Sequence, residues 1–424
     1  MKFFKAFVNL FKIKDLRKRF LIILFLLFIY RFFAHIPLPD VDLQRYKELF
    51  SANQFLGLLN IFSGGILANA SIALLGVSPY ITASIIIQLL TYVIPKLKKL
   101  YHEEGEYGRY KINQYTRYLT VLISFIQGIG FLNFLSLNNL VVFESFFEIL
   151  RDAFILTVGS LIIMWIGEII TEQKLGNGIS LIVFTGIISS LAGSLLLFFT
   201  TFSYEKLLIY IPFIILAFSL IALVTFVNEA EKRIPLVSPK RVAGTRIYGG
   251  ASTYLPLKIT QAGVIPIIFA LAFIAFPQTL AQFLYLFKLE FLNYFAEELV
   301  KILNNPFIFI FVYFSLVFGF TYFYTYTVFN PEEISKNLQR SGVFIPGIRP
   351  GKETEKYLAD SINKINFFGG IFLGFIAILP YLTSYLTQTQ YLAIGGTSLL
   401  ILISVALETI KQIEAEISLR RYEI

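Results

Sequence analysis

Long apolar segments alternate with shorter polar stretches along most of the chain. An α-helix needs about 20 apolar residues to cross the hydrocarbon core of a bilayer. Ten segments satisfy this requirement, near residues 20–36, 72–94, 116–136, 153–171, 178–200, 206–227, 259–285, 306–329, 366–386 and 391–407. The pattern predicts an all-α polytopic membrane protein with ten transmembrane helices.

Composition narrows the class further. Hydrophobic residues make up 56% of the 424 positions and charged residues only 15%, against about 25% charged residues in soluble domains. A soluble protein of this size could not bury so much apolar surface. The chain has no cysteine, and its two histidines, His35 and His102, are far apart in sequence. We therefore expect no disulfide, no metal site and no cofactor.

Positive charge is unevenly distributed between the predicted loops. With the N-terminus inside and the spans alternating, 29 of the 36 lysines and arginines fall in inside segments. Cytoplasmic loops carry this excess under the positive-inside rule, so both termini are predicted to be cytoplasmic. The first apolar segment follows the basic stretch 1–20 without a small-residue cleavage site. This favours a retained span over a signal peptide.

The segment 49–95 contains no charged side chain. It is too long for one helix, yet two full spans would place the basic loop 96–117 outside. One crossing plus a half-inserted piece resolves the conflict, and Gly64, Gly65 and Pro79 interrupt the segment where such a break is needed. Irregular backbone at membrane depth needs cover from protein or a water-filled cavity. An interfacial helix on the outer surface explains the segment equally well.

The number of spans predicts the symmetry. Ten spans with both ends inside divide into two halves of five, residues 1–203 and 204–424. Because an odd number of spans reverses the orientation, the halves should be inverted relative to each other. Inverted repeats are common in transport proteins.

Two inside loops, 228–258 and 330–365, are unusually long. Both mix charge, exposed apolar side chains and turn residues such as Pro239 and the pair Pro346-Gly347. Loops of this length are either functional or disordered, and ordered turn chemistry favours function. A charged anchor that fixes the topology is the other interpretation.

Seven motifs, in order and at matching topological positions, resemble the SecY family of protein-conducting channels along nearly the whole chain. They are AHIPLPDVD at 34–42, NIFSGGILANASIALLGVSPYITASIIIQLL at 60–90, GRYKINQYTRYLT at 108–120, GNGISLIVFTGI at 176–187, KRVAGTRIYGGASTYLPLKITQAGVIPIIFA at 240–270, NPEEISKNLQRSGVFIPGIRPGKETEKYL at 330–358 and GGTSLLI at 395–401. Any one of these matches would be weak, but seven in order are specific.

The resemblance implies a central hourglass pore between the two halves, sealed by a ring of apolar side chains and by a plug. The ring residues implied by the motifs are Ile81, Ile85, Ile179, Val183, Ile268 and Ile401. The plug is a half-inserted helix at about 56–69, with Leu56, Leu59, Phe62, Gly64, Gly65 and Ile66. Stiff β-branched side chains suit a gasket that excludes ions without binding a passing chain. Without the family, isoleucine in a span indicates only packing or lipid contact.

The resemblance also implies a lateral gate between the second and third helices on one side and the seventh and eighth on the other. Its candidate polar residues are Gln88, Thr260 and Gln261. A polar seam opens toward lipid more easily than a sealed apolar one. Each of these side chains could instead be interhelical hydrogen-bonding glue.

The two long loops resemble the docking site for the SecA motor and for ribosomes, with Lys240, Arg241, Arg246 and Arg349 as the candidate contacts. Arginine binds carboxylates and phosphates through two parallel hydrogen bonds. Solvated topological charge is the other interpretation, most of all for Lys240 and Arg241. Thr245 stands where many relatives have a second arginine, which predicts a weaker ribosomal contact.

The implied function is that of the central subunit of a protein-conducting channel in the bacterial cytoplasmic membrane. SecE and SecG are the implied partner subunits, and SecA or the ribosome the source of energy. A signal sequence would part the gate, unfolded secretory polypeptides would thread the ring, and apolar segments would leave sideways among the membrane lipids.

Two other classes of function fit less well. A secondary transporter shares inverted halves but needs ionisable groups near mid-membrane, whereas Glu168 and Glu172 lie near one end of a span. An intramembrane enzyme would need a Ser–His pair, an HExxH run or paired aspartates, and none occurs. We therefore expect no enzymatic activity.

Overall fold

The protein is predominantly helical. The computed structural model describes residues 10–39, 41–52, 60, 66–102, 104–200, 207–237, 241–243, 246–248, 252–284, 294, 298, 305–387 and 396–420. Its helices are α1 (Lys14–Phe33), α2 (Leu43–Ala52), α3 (Ser78–Val93), α4 (Pro95–His102), α5 (Gly105–Leu137), α6 (Phe146–Glu172), α7 (Gly178–Thr200), α8 (Leu207–Glu229), α9 (Ile265–Leu284), α10 (Pro306–Val328), α11 (Pro331–Ser341), α12 (Lys352–Thr387) and α13 (Gly396–Leu419).

Ten of these helices coincide with the ten predicted spans, which confirms the predicted order. Helices α5 and α12 begin more than ten residues before the apolar segments they contain, because polar turns extend them beyond the apolar region. Among the described residues, four helical runs are long and apolar enough to cross a membrane alone: Gly105–Leu137, Phe146–Glu172, Pro306–Ser341 and Lys352–Leu379. The pair Ser78–Val93 and Pro95–Tyr101, bent by 109°, would be a fifth.

Proline and asparagine set several helix boundaries. Pro79 occupies the first turn of α3, and the helix ends at Ile94, whose extended backbone precedes Pro95. Helices α10 and α11 both begin with an Asn-Pro pair. In each, the asparagine side chain accepts a backbone N–H of the first turn and the proline fills a position that needs no donor.

We divide the spans according to the two predicted halves: helices α1, α3, α5, α6 and α7 are called the first group, and α8, α9, α10, α12 and α13 the second. Neighbouring helices pack within each group, and α9 also packs extensively against α5 and α3 of the first group. Contacts near the ends of α1, α8, α10 and α13 define one end of the bundle, which we call the loop end, and the opposite end is called the far end. Helix α1 runs from the loop end to the far end, whereas α8 ends at the loop end. The first helices of the two groups are therefore antiparallel, as expected for inverted halves. The predicted boundary between residues 203 and 204 lies outside the described residues.

Sequence analysis predicted helices alone, and the structure adds four short strands at the loop end. They are β1 (Glu231–Val237), β2 (Arg241–Ala243), β3 (Arg246–Tyr248) and β4 (Ser252–Lys258). Strands β1 and β4 pair antiparallel with Ile234 opposite Leu255, and β2 pairs antiparallel with β3. The β2–β3 pair therefore lies between the two strands of the β1–β4 pair along the chain, and strands this short gave no long apolar signal.

The two long loops form one packed unit. Strand β1 is extended by an isolated bridge in which Val237 and Phe344 exchange backbone hydrogen bonds of 2.9 and 3.1 Å. A small apolar core joins the strands to α12 and to the turn before it. Its buried members are Ile234, Leu236, Leu257, Phe329, Ile345, Leu358 and Ile362. Because this core is continuous, the two loops hold each other in place.

Candidate pore, gate and docking surface

The six predicted ring residues lie in the interior of the bundle, and three of them, Ile81, Ile179 and Ile268, line one cavity. The six come from α3, α7, α9 and α13, two helices from each group, and all belong to or pack against one apolar cluster in the centre of the bundle. Five of them are between 1% and 8% exposed, and Ile179 is half-buried. Their role as a seal stays a prediction, because burial alone is equally compatible with ordinary packing.

Two glycines fix the position of α7 and of the ring residues it carries. A Cβ atom on Gly178 would lie 1.8 Å from the carbonyl oxygen of Gly167 on α6, which is far inside van der Waals contact. The Gly178 backbone N–H also donates to Thr171 Oγ1 at 2.9 Å. This backbone approach requires glycine and sets the depth of Ile179 relative to α6.

A polar cavity of about 590 Å³ opens onto the ring from the loop end. Ile81, Ile179 and Ile268 form part of its lining. The rest is largely polar or charged and includes Arg117, Asn113, Glu168, Glu172, Lys174, Thr171 and Asn177. The site is thus wide and polar on one side and closed by apolar side chains below.

An ion pair that sequence analysis did not identify lies in this cavity. The Nε atom of Arg117 on α5 donates to Glu168 Oε1 on α6 at 2.9 Å, and Nη2 lies 2.9 Å from Oε2. The Glu168 side chain is only 16% exposed, so Arg117 compensates a largely desolvated carboxylate. Both residues were visible as charges at span ends, but their separation of 51 positions hid the pairing.

Of the predicted plug, the structure describes Asn60 and the end that leads into α3. Asn60 is buried, and its Oδ1 accepts the Ala68 backbone N–H at 3.0 Å. Ile66 is buried, whereas Leu56, Leu59, Phe62, Gly64 and Gly65 lie outside the described residues. Residues 67–69 form a single 3-10 turn rather than an α-helical one.

Several hydrogen bonds hold the segment 66–77, which we call the plug tail. Backbone bonds join it to residues 36–38: the Leu38 N–H donates to the Ala70 carbonyl at 2.8 Å, and the Ile72 N–H to the Ile36 carbonyl at 3.0 Å. The buried Tyr46 hydroxyl donates to the Leu67 carbonyl at 2.5 Å. The motif at 34–42 therefore anchors the plug tail, a role that its sequence did not reveal.

Helix α6 holds the other side of the plug tail. Ser160 donates to the Gly76 carbonyl at 2.8 Å. A Cβ atom on Gly159 would lie 2.3 Å from the Ile72 carbonyl oxygen, so the two backbones are in direct contact. Residues 66–77 are consequently held from both sides.

The two groups of helices meet along a seam where α9 packs against α3 and α5, and α3 reaches α10. Gln88 lies on this seam. Its Nε2 donates to Ser84 at 3.3 Å, while its Oε1 is buried without a hydrogen-bond partner. A second cavity, of about 620 Å³, lies beside it and is lined by residues of α3, α4, α5, α10 and α11. Gln88 thus lies where the two groups meet, and its role in a gate stays a prediction.

Thr260 and Gln261 make their hydrogen bonds elsewhere. Thr260 donates to Asn228 Oδ1 at 2.6 Å, and Asn228 in turn donates to Ser404 on α13 at 2.6 Å. Gln261 accepts the Lys258 backbone N–H at 3.0 Å. These bonds tie the segment before α9 to its own group of helices. For Thr260 the structure favours the interhelical-glue alternative, and the gate helix α9 begins only at Ile265.

Three of the four predicted docking residues are described, and all three lie in the two long loops. Arg349 is exposed, on the turn before α12, and its carbonyl accepts the Thr354 hydroxyl at 2.9 Å. Arg241 and Arg246 lie on β2 and β3, opposite Tyr248 and Ala243 respectively. Lys240 lies outside the described residues.

Helices α4 and α11 lie close together at the loop end of the seam, since Tyr101 on α4 and Glu333 on α11 line the same cavity. Lys336 donates to Glu332 at 2.5 Å on α11, and this hydrogen bond lowers the pKa of the Glu332 carboxyl. Lys98 on α4 contributes a smaller electrostatic lowering of the same pKa.

The family model and the curated relatives that match this chain all belong to the SecY family. The SecY family model matches residues 71–410. The protein translocase subunit SecY of Streptomyces griseus is 41% identical over 439 aligned positions, which cover 99% of both chains. The corresponding protein of Aquifex aeolicus (strain VF5) is 39% identical over 434 positions and covers 98% of this chain and 97% of its own.

Solved structures give the same fold. A protein-conducting channel superposes with a TM-score of 0.63 at 16% identity, over 93% of this chain and 91% of its own. Sec61 in the canine ribosome–channel complex from the endoplasmic reticulum superposes with a TM-score of 0.60 at 16% identity, over the same shares. These similarities support ten spans in two inverted halves around a central pore.

Proposed function

Because the chain belongs to the SecY family, we propose that it is the channel-forming subunit of a protein translocase, which conducts unfolded polypeptides across a membrane. The observation that carries the proposal is the arrangement in the centre of the bundle. Side chains from both groups of helices converge in one apolar cluster below a polar cavity that is open at the loop end. A secondary transporter has no comparable support.

The ring seals the pore because its aperture is narrow and because its apolar side chains exclude water. β-Branched side chains have few rotamers, so the ring keeps a defined aperture. An apolar constriction dewets and blocks ions without binding them. It also offers no hydrogen bonds to a passing chain, so polypeptides of any sequence slide through.

The plug closes the same passage from the far end. Its moving part comprises the residues before position 66, because the plug tail is held by Tyr46, by the segment 36–38 and by Ser160. Displacement of the plug would break the 3.0 Å hydrogen bond that Asn60 Oδ1 accepts from the Ala68 N–H, but it would leave the other bonds of the plug tail intact. The plug therefore returns to one place after each passage.

The seam between α3 and α5 on one side and α9 and α10 on the other is the lateral gate. A signal sequence enters here, and sufficiently apolar segments leave here for the lipid. Gln88 supports this proposal, since its unpaired Oε1 leaves an acceptor free within the seam.

The loop unit is the docking surface for the machinery that drives translocation. We infer that SecA and the ribosome bind it, with Arg349, Arg241, Arg246 and Lys240 as contacts. The similarity to a channel solved on a ribosome supports the ribosomal part. Thr245 weakens that part relative to chains with a second arginine at this position.

Membership of the SecY family also supports a proposal about the partner subunits, the membrane and the orientation of the chain. SecE and SecG complete the channel in the cytoplasmic membrane of a bacterium, and both termini and the loop end face the cytoplasm. The halves divide near residues 203 and 204.

Site-specific photo-crosslinking tests the proposal. A crosslinker at Ile85 or Ile268, with a stalled secretory precursor, should give adducts at both positions. Phe273, half exposed on α9, is the matched control and should give none. Adducts at neither ring position, while the precursor remains engaged with the protein, would contradict the proposed pore.

A further inference from the structure

A tyrosine and a threonine connect the two groups of helices at the loop end of the seam. Tyr92 is the second-to-last residue of α3, and Thr327 is the second-to-last residue of α10. The Tyr92 hydroxyl lies 2.6 Å from Thr327 Oγ1. The Tyr92 ring also packs edge-on against Phe323, with the ring centroids 5.0 Å apart and the planes at 62°.

The direction of this hydrogen bond follows from valence. Thr327 Oγ1 also lies 2.9 Å from the Phe323 carbonyl oxygen, which can only accept. A hydroxyl has one hydrogen to donate, and that of Thr327 is used within α10. Tyr92 is therefore the donor across the seam, and removal of its hydroxyl alone abolishes the bond.

A second polar contact joins the groups at a different place. Arg420, just after α13, forms an ion pair with Asp15 on the first turn of α1, and Arg19 also pairs with Asp15 at 3.2 Å. Charge-assisted bonds of this kind are about twice as strong as neutral ones. The α1–α13 junction is thus held by charge, whereas the hydrogen bond found between α3 and α10 in the described part of the chain is neutral.

We propose that the Tyr92–Thr327 hydrogen bond is a latch that holds the loop end of the seam closed in the resting protein. The inference rests on the proposed function, since it assigns an energy barrier to the proposed gate. The latch borders the cavity of about 620 Å³, which Thr327 lines together with Gln88 and Arg109. A segment that enters this cavity from the loop end must separate α3 from α10 and so break the bond.

The exposure of Tyr92 limits how much the Tyr92–Thr327 hydrogen bond stabilises the closed seam. Tyr92 is 42% exposed, so water competes for its hydroxyl and the bond contributes at the low end of the usual range for hydrogen bonds. Loss of the bond should shift the closed-to-open ratio about two- to fivefold. Tyr92→Phe keeps the ring on Phe323 and removes only the bond, which makes it the variant of choice.

The distance across the seam can be measured directly. The chain has no native cysteine, so spin labels attach only at introduced ones. Lys99→Cys on α4 and Asn337→Cys on α11 are both exposed and flank the latch. Pulsed electron resonance on the full channel complex in lipid nanodiscs then gives the populations of short and long distances.

We expect Tyr92→Phe and Thr327→Val each to raise the long-distance population about two- to fivefold, and the double variant to raise it no further. Tyr118→Phe is the control, because Tyr118 is 69% exposed on α5. The proposed latch would be wrong if the distances were unchanged in both single variants. It would also be wrong if the double variant raised the long-distance population by the sum of the two single effects.

Translocation in the same preparation separates this inference from the one on which it rests. With a functional gate, Tyr92→Phe should increase passage of a precursor whose signal sequence is weakened. If the wild type moves no precursor at all, the proposed function fails, and the distance measurement still decides whether the bond closes the seam.

Discussion

The close approach of α6 and α7 gives a sharp test of how the ring is positioned. In Gly178→Ala, the new Cβ atom would lie 1.8 Å from the Gly167 carbonyl oxygen and 2.7 Å from its carbon. Carbon–oxygen contacts normally begin at about 3.3 Å. Both partners are backbone and cannot rotate away, so the helices must separate by about 1.5 Å.

The separation has a cost in stability and a consequence for the pore. Overpacking of this kind typically destabilises by about 1–3 kcal/mol. Because Ile179 and Val183 move with α7, the ring should also lose its fit. We expect a lower apparent melting temperature in detergent and a faster leak of ions from liposomes.

A matched substitution distinguishes this effect from a general response to alanine. Gly319 on α10 is exposed, and a Cβ atom there would meet nothing within 4 Å. Gly319→Ala should be neutral or stabilise by up to about 1 kcal/mol, because alanine is the better helix former. A Gly178→Ala protein as stable and as tight as the wild type would refute the reasoning.

Three further predictions concern bonds away from α7. Arg117→Met should lower the melting temperature more than the double variant Arg117→Met/Glu168→Gln, because the single change leaves a largely buried carboxylate unpaired. Equal decreases in melting temperature in the two proteins would argue against a coupled pair. Tyr46→Phe should destabilise by about 0.5–1.5 kcal/mol and increase ion leak, because it removes the hydrogen bond that joins α2 to the Leu67 carbonyl of the plug tail, which then keeps the longer 3.3 Å bond from the Ala70 N–H. Leak at the wild-type level would show that the Tyr46 bond does not hold the plug tail. The hydrogen bond from Arg420, aided by Arg19, lowers the pKa of the Asp15 carboxyl below its ordinary 3.8. The contribution of this ion pair to the stability of the folded protein is therefore complete above pH 3.8 and is lost as the pH falls through the lowered pKa. Melting temperature measured from pH 6 to pH 3 should therefore fall more steeply in the wild type than in Arg420→Gln, and parallel curves would exclude the contribution.

The helix pattern was predictable because the bilayer imposes it. Each span needs its own run of apolar residues, so each of the ten helices can be predicted from its own segment of the sequence. Charge asymmetry then predicts the alternation, and Pro79 predicts where α3 begins. The gap between the predicted and observed starts of α5 and α12 has the same origin, since hydropathy detects the apolar part of a helix and not its polar extension.

Predictions that depended on a single polar residue were less reliable. Gln88 and Thr260 both appeared as polar positions near the gate, and nothing in the local sequence distinguished them. The structure separates them by their neighbours: Gln88 faces the seam, whereas Thr260 is bonded to Asn228. The strands at the loop end escaped detection because segments of three to seven residues carry too little periodicity.

The sequence by itself determined the class of protein, the order of its spans, their alternation and, through its motifs, the family. These properties depend on hydropathy, charge and short runs, which the chain carries locally. Only the tertiary structure decided which distant residues meet: Arg117 with Glu168, Tyr46 with Leu67, and Tyr92 with Thr327. The last pair is 235 positions apart in sequence and 2.6 Å apart in space, and only the packing of the two groups of helices brings such residues together.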